Sequence, residues 1–191
     1  MPASQRGART PYYACAYFSC SNLGAVVTLT DVPRVTPLLS RNLAAAVASG
    51  AGAGGAPADA TTAAEVRPLM WGDVGAMHGD GSRLLSERGP FDVILCCEVV
   101  YQQVQEVLRA LLQTIAGLLA CPGGRVVFAY QHRDGSEYTD ALFFRDMESA
   151  GFSLVGDEPL TEWDESWNDT CVRFVRTYAV GDGSAQVSAA L

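Results

Sequence analysis

Four side chains in this sequence stand where their chemistry has a use. Asp31 follows the β-branched run AVVTLT at residues 25–30. An acid at the end of a buried strand can accept hydrogen bonds from both ribose hydroxyls of a nucleoside. The same residue, two positions before Pro33, can equally cap a helix. Trp71 ends an apolar stretch and precedes Gly72. Its indole can lie against an adenine ring while the glycine admits close backbone approach, or it can be a half-buried core ring. Glu98 and Tyr101 come directly after FDVILCC (91–97), three residues apart. If a helical turn starts there, carboxylate and phenol point the same way and together attract a lysine ammonium. The plainer reading is a helix N-terminus carrying a favourable acid.

Other residues offer less. His78 sits in a Gly-rich loop, and His132 follows a strand without a partner that spacing can name. The six cysteines, at 15, 20, 96, 97, 121 and 171, form no CxxC pair and no Cys/His group at zinc spacing. Cys96 and Cys97 lie in an apolar run and read as buried structural thiols, so no metal is expected. The acidic segment TEWDESWND (161–169) carries Trp163 and Trp167, which fit either anchors for a basic partner or rings packed on the domain. GSRLLSERG, within a polar loop spanning 73–90, reads as plain surface.

The elements that must position these residues follow from the apolar pattern. A helix is expected at 12–23, closed by Gly24, then strand 25–30 and a helix over 33–46 with Pro33 in its first turn. Residues 48–64 are almost wholly Ala, Gly, Pro, Ser, Thr and Asp and read as a low-complexity insertion. A short strand at 65–70 leads to Trp71. FDVILCC, an apolar run without helical period, suits a central parallel strand buried on both faces. Apolar positions 104, 107, 108, 111, 112, 115, 118 and 119 follow the 3–4 spacing of an amphipathic helix over 102–120, broken by Pro122-Gly123-Gly124. Strand 125–130, a helix over 137–150 and strands at 152–155 and 171–179 close the chain. Such alternation implies an α/β fold with a mainly parallel sheet covered by helices, whose ligands bind at the carboxyl ends of the strands.

Composition bounds the function. The 191 residues, 49% hydrophobic and 18% charged, suit one globular domain (1–191), with its core at 11–180 and flexible tails at 1–10 and 181–191. No apolar run reaches membrane-spanning length, and MPASQRGART is not followed by the apolar region of a secretory signal. A cytoplasmic protein without membrane contact is therefore expected. A net charge of −8 without a basic stripe argues against nucleic acid as a partner.

In order along the chain, VVTLTDVPRVTPLLSRN, LMWGD, FDVILCCEVVY, VVFAYQHR and FFRDMESAGF resemble the family 16 protein methyltransferases, the seven-strand, class I lysine methyltransferases. The resemblance covers about residues 14–180 apart from the insertion. It implies a Rossmann-like fold, S-adenosylmethionine as cofactor, and methylation of lysine on a protein substrate by a monomer. It also implies roles by position: Asp31 on the cofactor ribose, Trp71 near adenine, Cys97 touching the cofactor where the family usually has alanine, and Glu98 with Tyr101 around the target amine. One departure is large. The strand and Gly-rich turn of GxGxG type with which such enzymes begin their core have no counterpart ahead of residues 25–30, and the upstream cofactor tryptophan is missing as well. An N-terminally incomplete chain, lacking the strand that belongs between 25–30 and 91–97, is the resulting expectation. The alternative function is a non-catalytic methyltransferase-like remnant or protein-binding module.

Overall fold

The computed structural model describes residues 24–48, 64–76, 78–101, 103–120, 122–131, 137–159 and 173–180. The expected helix at 12–23, nearly all of the 48–64 insertion, His132, the acidic 161–169 loop and both tails lie outside them. The chain divides into two compact units, Met1–Met70 and Trp71–Leu191.

In the first unit, strands β1 (Val27–Asp31) and β2 (Ala64–Pro68) pair in parallel, with Thr28 opposite Glu65 and Asp31 opposite Pro68. The β-branched residues of β1 suit a pleated surface. Cross-strand chemistry reinforces the ladder: the Thr28 hydroxyl donates to Glu65 Oε1 at 3.2 Å. Helix α1 (Thr36–Ala48) packs on both strands, burying Leu39 and Ala46, and Leu69 is buried just after β2. The helix starts three residues later than Pro33 suggests. Val32 to Val35 form a turn first, in which the Thr36 hydroxyl donates to the Pro33 carbonyl at 2.9 Å.

In the second unit, helix α2 (Asp80–Arg88) precedes β3 (Val93–Cys97), α3 (Gln105–Leu118), β4 (Arg125–Gln131), α4 (Glu137–Ser149), β5 (Phe152–Pro159) and β6 (Arg173–Val180). The strands form one sheet in the order β3-β4-β6-β5, with β3–β4 parallel and the two closing strands antiparallel. Side chains alternate along β4. Val126, Phe128 and Tyr130 are buried against α3 and α4, while Arg125, Val127, Ala129 and Gln131 face the other way. Phe128 is the centre of this core, in edge-to-face contact with Phe143, Phe144 and Tyr178 at centroid distances of 5.6, 5.4 and 6.2 Å.

Two expectations need correction. Residues 73–90 are not loop throughout, because α2 occupies Asp80–Arg88. Asp80 stands in its first turn, Arg88 in its last, and Gly89 at φ 75° ends it, an arrangement that favours a short helix despite only two leucines. Nor is β3 buried on both faces. Ile94 and Cys96 face the core, but Val93 and Leu95 are each 50% exposed and Cys97 is exposed too. Among the described residues β3 pairs only with β4, and β1 only with β2. The strand expected between them is not among the described elements.

Candidate functional site

The carboxyl end of β3 and the turn after it carry three of the five candidate residues, Cys97, Glu98 and Tyr101. The Glu98 amide donates to the Ala129 carbonyl at 3.0 Å, which continues the β3–β4 ladder by one residue. Glu98 then turns into the left-handed region at φ 55°, alone in this among the described non-glycine residues. A carboxylate side chain there costs about 1–2 kcal/mol in backbone strain. Val100, 1% exposed, sinks into the core two residues on, and Val99 packs against the same cluster. This anchors a turn from which Glu98 stays exposed and Tyr101 half-buried. The helical turn anticipated for Glu98 and Tyr101 does not form. Residues 98–101 are bends and a turn, and α3 starts only at Gln105.

The two adjacent cysteines differ sharply. Burial pushes the Cys96 thiol up to about 12, with the neighbouring Cys97 adding to the effect. Cys97, on the exposed face, is also raised, first by partial burial and then by the negative charge of Glu98. Both are free thiols. Cys96 is thus inert core, whereas Cys97, expected to be buried from its apolar context, is exposed.

Trp71 and Gly72 form a turn ahead of α2. The indole is half-buried against the second unit's core, and Gly72 adopts φ 92°, a conformation open to glycine. The Gly72 amide donates to the Thr114 hydroxyl on α3 at 2.8 Å, a contact across 42 residues that no local pattern announces. His78 is exposed in the same loop.

Asp31 belongs to the first unit and is the last residue of β1. Its carbonyl accepts from the Leu69 amide at 2.9 Å, and its Oδ1 accepts from the Val32 amide at 2.7 Å. No other hydrogen bond or ion pair to this carboxylate occurs among the described residues, so its second oxygen remains available to hydroxyl donors. A groove of about 210 Å³ between α3 and α4, lined by Leu108, Arg109, Leu112, Phe143 and Asp146 among others, contains none of the candidate residues. No group of His, Cys, Asp or Glu among the described residues could hold a metal ion, and no described helix is long and apolar enough to cross a membrane.

Solved structures similar to this one include methyltransferases. The glycopeptide N-methyltransferase MtfA complexed with S-adenosylmethionine matches with a TM-score of 0.57 at 11% identity, over 94% of this chain and 100% of that one. The same enzyme complexed with sinefungin matches with a TM-score of 0.57 at 12% identity, over 86% and 81%. The N,N-8-amino-8-demethyl-D-riboflavin dimethyltransferase RosA from Streptomyces davawensis matches with a TM-score of 0.54 at 17% identity, over 92% of this chain and 48% of that one. A search of curated proteins returns no match. The α/β arrangement is therefore the fold of class I S-adenosylmethionine-dependent methyltransferases. Within that class, the model of methyltransferase family 16, the lysine methyltransferases, matches residues 17–150, and the chain belongs to this family.

The family's methyl donor is S-adenosylmethionine. Two residues, one in each unit, are each of a type that can meet part of a nucleoside: Asp31, whose second carboxylate oxygen accepts no hydrogen bond among the described residues, and Trp71, whose indole is half-exposed. For the methionine part, no comparable feature exists among the described residues.

Proposed function

We propose that this chain transfers a methyl group from S-adenosylmethionine to the side-chain amine of a lysine on a protein substrate in the cytoplasm. The observation that carries this reading is Glu98, held at φ 55° at the carboxyl end of a parallel strand. Strained non-glycine backbone concentrates where function requires it. An exposed carboxylate fixed there suits the orientation of an amine.

The bound cofactor supplies an electrophilic methyl on a sulfonium, and the protein's task is binding and positioning. If the cofactor is held as the family resemblance implies, Asp31 would accept from its ribose hydroxyls, Trp71 would pack on the adenine, and Cys97, on the exposed face of β3, would touch it. Glu98 receives the lysine ammonium as an ion pair. The ammonium must give a proton to solvent before its lone pair can attack; the positive charge of the methyl donor would lower its pKa while the Glu98 carboxylate opposes that shift, and S-adenosylhomocysteine is the leaving group. The Glu98 carboxylate then holds the neutral amine through one N–H, while the Tyr101 ring packs along the lysine side chain. The net charge of −8 favours a basic substrate segment. The class I fold alone would serve small-molecule acceptors as well; family membership and the carboxylate at 98 support lysine.

A non-catalytic methyltransferase-like module is the second reading, favoured by the lack, among the described residues, of a feature for the methionine part of the cofactor. Calorimetric titration with S-adenosylhomocysteine separates the two. Saturable 1:1 binding supports the enzyme, and no heat beyond dilution supports the module.

A further inference from the structure

We infer that Thr114 on α3 is a positioning residue for Trp71, and that the helix face Ala110–Thr114–Gly117 is shaped to seat the loop that carries the indole. The inference rests on the reading of Trp71 as a cofactor contact.

Thr114 is 3% exposed, one of two buried polar residues among those described, on a helix whose other buried positions are aliphatic. Its hydroxyl donates to the Ala110 carbonyl at 2.8 Å, an ordinary bond within a helix. The same oxygen accepts from the Gly72 amide at 2.8 Å. That bond fixes the residue next to Trp71. The small residues around Thr114 make room for it. A Cβ on Gly72 would come within 3.3 Å of the Ala110 Cβ, so the loop lies directly on the helix. One turn further, a Cβ on Gly117 would overlap Val74 Cγ1, and one on Gly81 of α2 would stand 2.6 Å from Val74 Cγ2. Val74 is therefore plugged between two helices at positions where only glycine leaves space. Beyond it, the Ser82 hydroxyl accepts from the Gly75 amide at 2.9 Å and reaches the Asp73 carbonyl at 3.4 Å. The loop after β2 is thus held at Gly72, Val74 and Gly75, and α3 supplies two of the three attachments. This arrangement orients the indole before any ligand arrives, which lowers the ordering cost of binding.

The test is calorimetric titration of S-adenosylhomocysteine into the full chain and its Trp71→Ala, Thr114→Val, Thr114→Ser and Gly117→Ala variants, with thermal unfolding measured on each. Valine keeps the shape of Thr114 and deletes the acceptor, so binding is expected to weaken about tenfold. Serine keeps the acceptor and restores affinity. Gly117→Ala blocks the seat of Val74 while improving the helix; it also weakens binding, and it decides the matter if Thr114→Val fails to fold. If Trp71→Ala weakens binding but Thr114→Val and Gly117→Ala bind like the unsubstituted chain, the positioning role is wrong and the cofactor role of Trp71 stands. If Trp71→Ala binds normally, or the unsubstituted chain does not bind at all, both fall.

Discussion

The interior around Phe128 and the carboxyl end of β3 lie on the same sheet and follow opposite rules. Around Phe128 the side chains pack closely: rings meet edge to face, and Val126, Met147 and Phe143 are at most 2% exposed. At the end of β3, Leu95 is half exposed, a carboxylate occupies strained backbone, and an exposed thiol sits beside it. The first region is arranged for stability and the second is not. Proteins commonly tolerate local rule-breaking where a ligand completes the chemistry.

Substitution should expose this contrast most strongly at Phe128. Phe128→Ala leaves a cavity among three rings and should lower unfolding free energy by about 3–5 kcal/mol, against a total that for a whole domain is about 5–15 kcal/mol. Leu95→Ala, on the open face of the same sheet, should cost under about 1 kcal/mol. Urea titration of both checks the difference, and equal losses would break the comparison.

The reverse pattern is expected at Glu98. Glu98→Gln should reduce methyl transfer roughly ten- to a hundredfold, the value of a hydrogen bond to a charged group, with little change in stability. Glu98→Gly should be as inactive yet about 1 kcal/mol more stable, because glycine adopts positive φ without strain. A glycine variant that is less stable would show that the conformation serves the fold rather than the site.

Alkaline pH probes the interior again. Cys96, Tyr130 and Tyr178 are all raised to about 12, chiefly by burial. Unfolded thiol and phenol ionise from about pH 8.5 and 10. The folded groups hold their protons longer, so the unfolded state binds fewer protons in between, and stability falls as pH rises from about 9 towards 12. The urea midpoint should drop over that window, and Cys96→Ala should shallow its onset.

The smallest effect concerns the thiols. In the folded chain iodoacetamide should leave Cys96 unmodified and react slowly with Cys97. Glu98→Gln removes one cause of the raised Cys97 value, so alkylation at pH 8 should accelerate a few-fold. Peptide mass mapping of the two adjacent sites reads the result.

Much of this contrast was legible in the sequence, and its missing parts have physical reasons. The 3–4 spacing from Val104 to Leu119 marks α3, and the runs VVFAY and FDVILCC mark β4 and β3. The exposure of Val93 and Leu95 was hidden because VILCC is apolar at every position and alternation has nothing to mark. Helix α2 was hidden by flanking glycines and by its two leucines, too few to show a period. The φ of Glu98 leaves no trace in side-chain type, and the Gly72–Thr114 bond spans 42 residues. A threonine in line with Ala110 and Gly117 on an otherwise leucine-rich helix was the available signal for the latter.

The central claim is that the end of β3 presents a carboxylate to a lysine amine. Its most direct test is to incubate the chain with methyl-labelled S-adenosylmethionine and cell-lysate proteins, then hydrolyse the labelled products and separate the methylated amino acids. The account predicts label in methyl-lysine, reduced roughly ten- to a hundredfold by Glu98→Gln. Label confined to another amino acid or to small molecules, or methyl-lysine formed equally well by the glutamine variant, would contradict it.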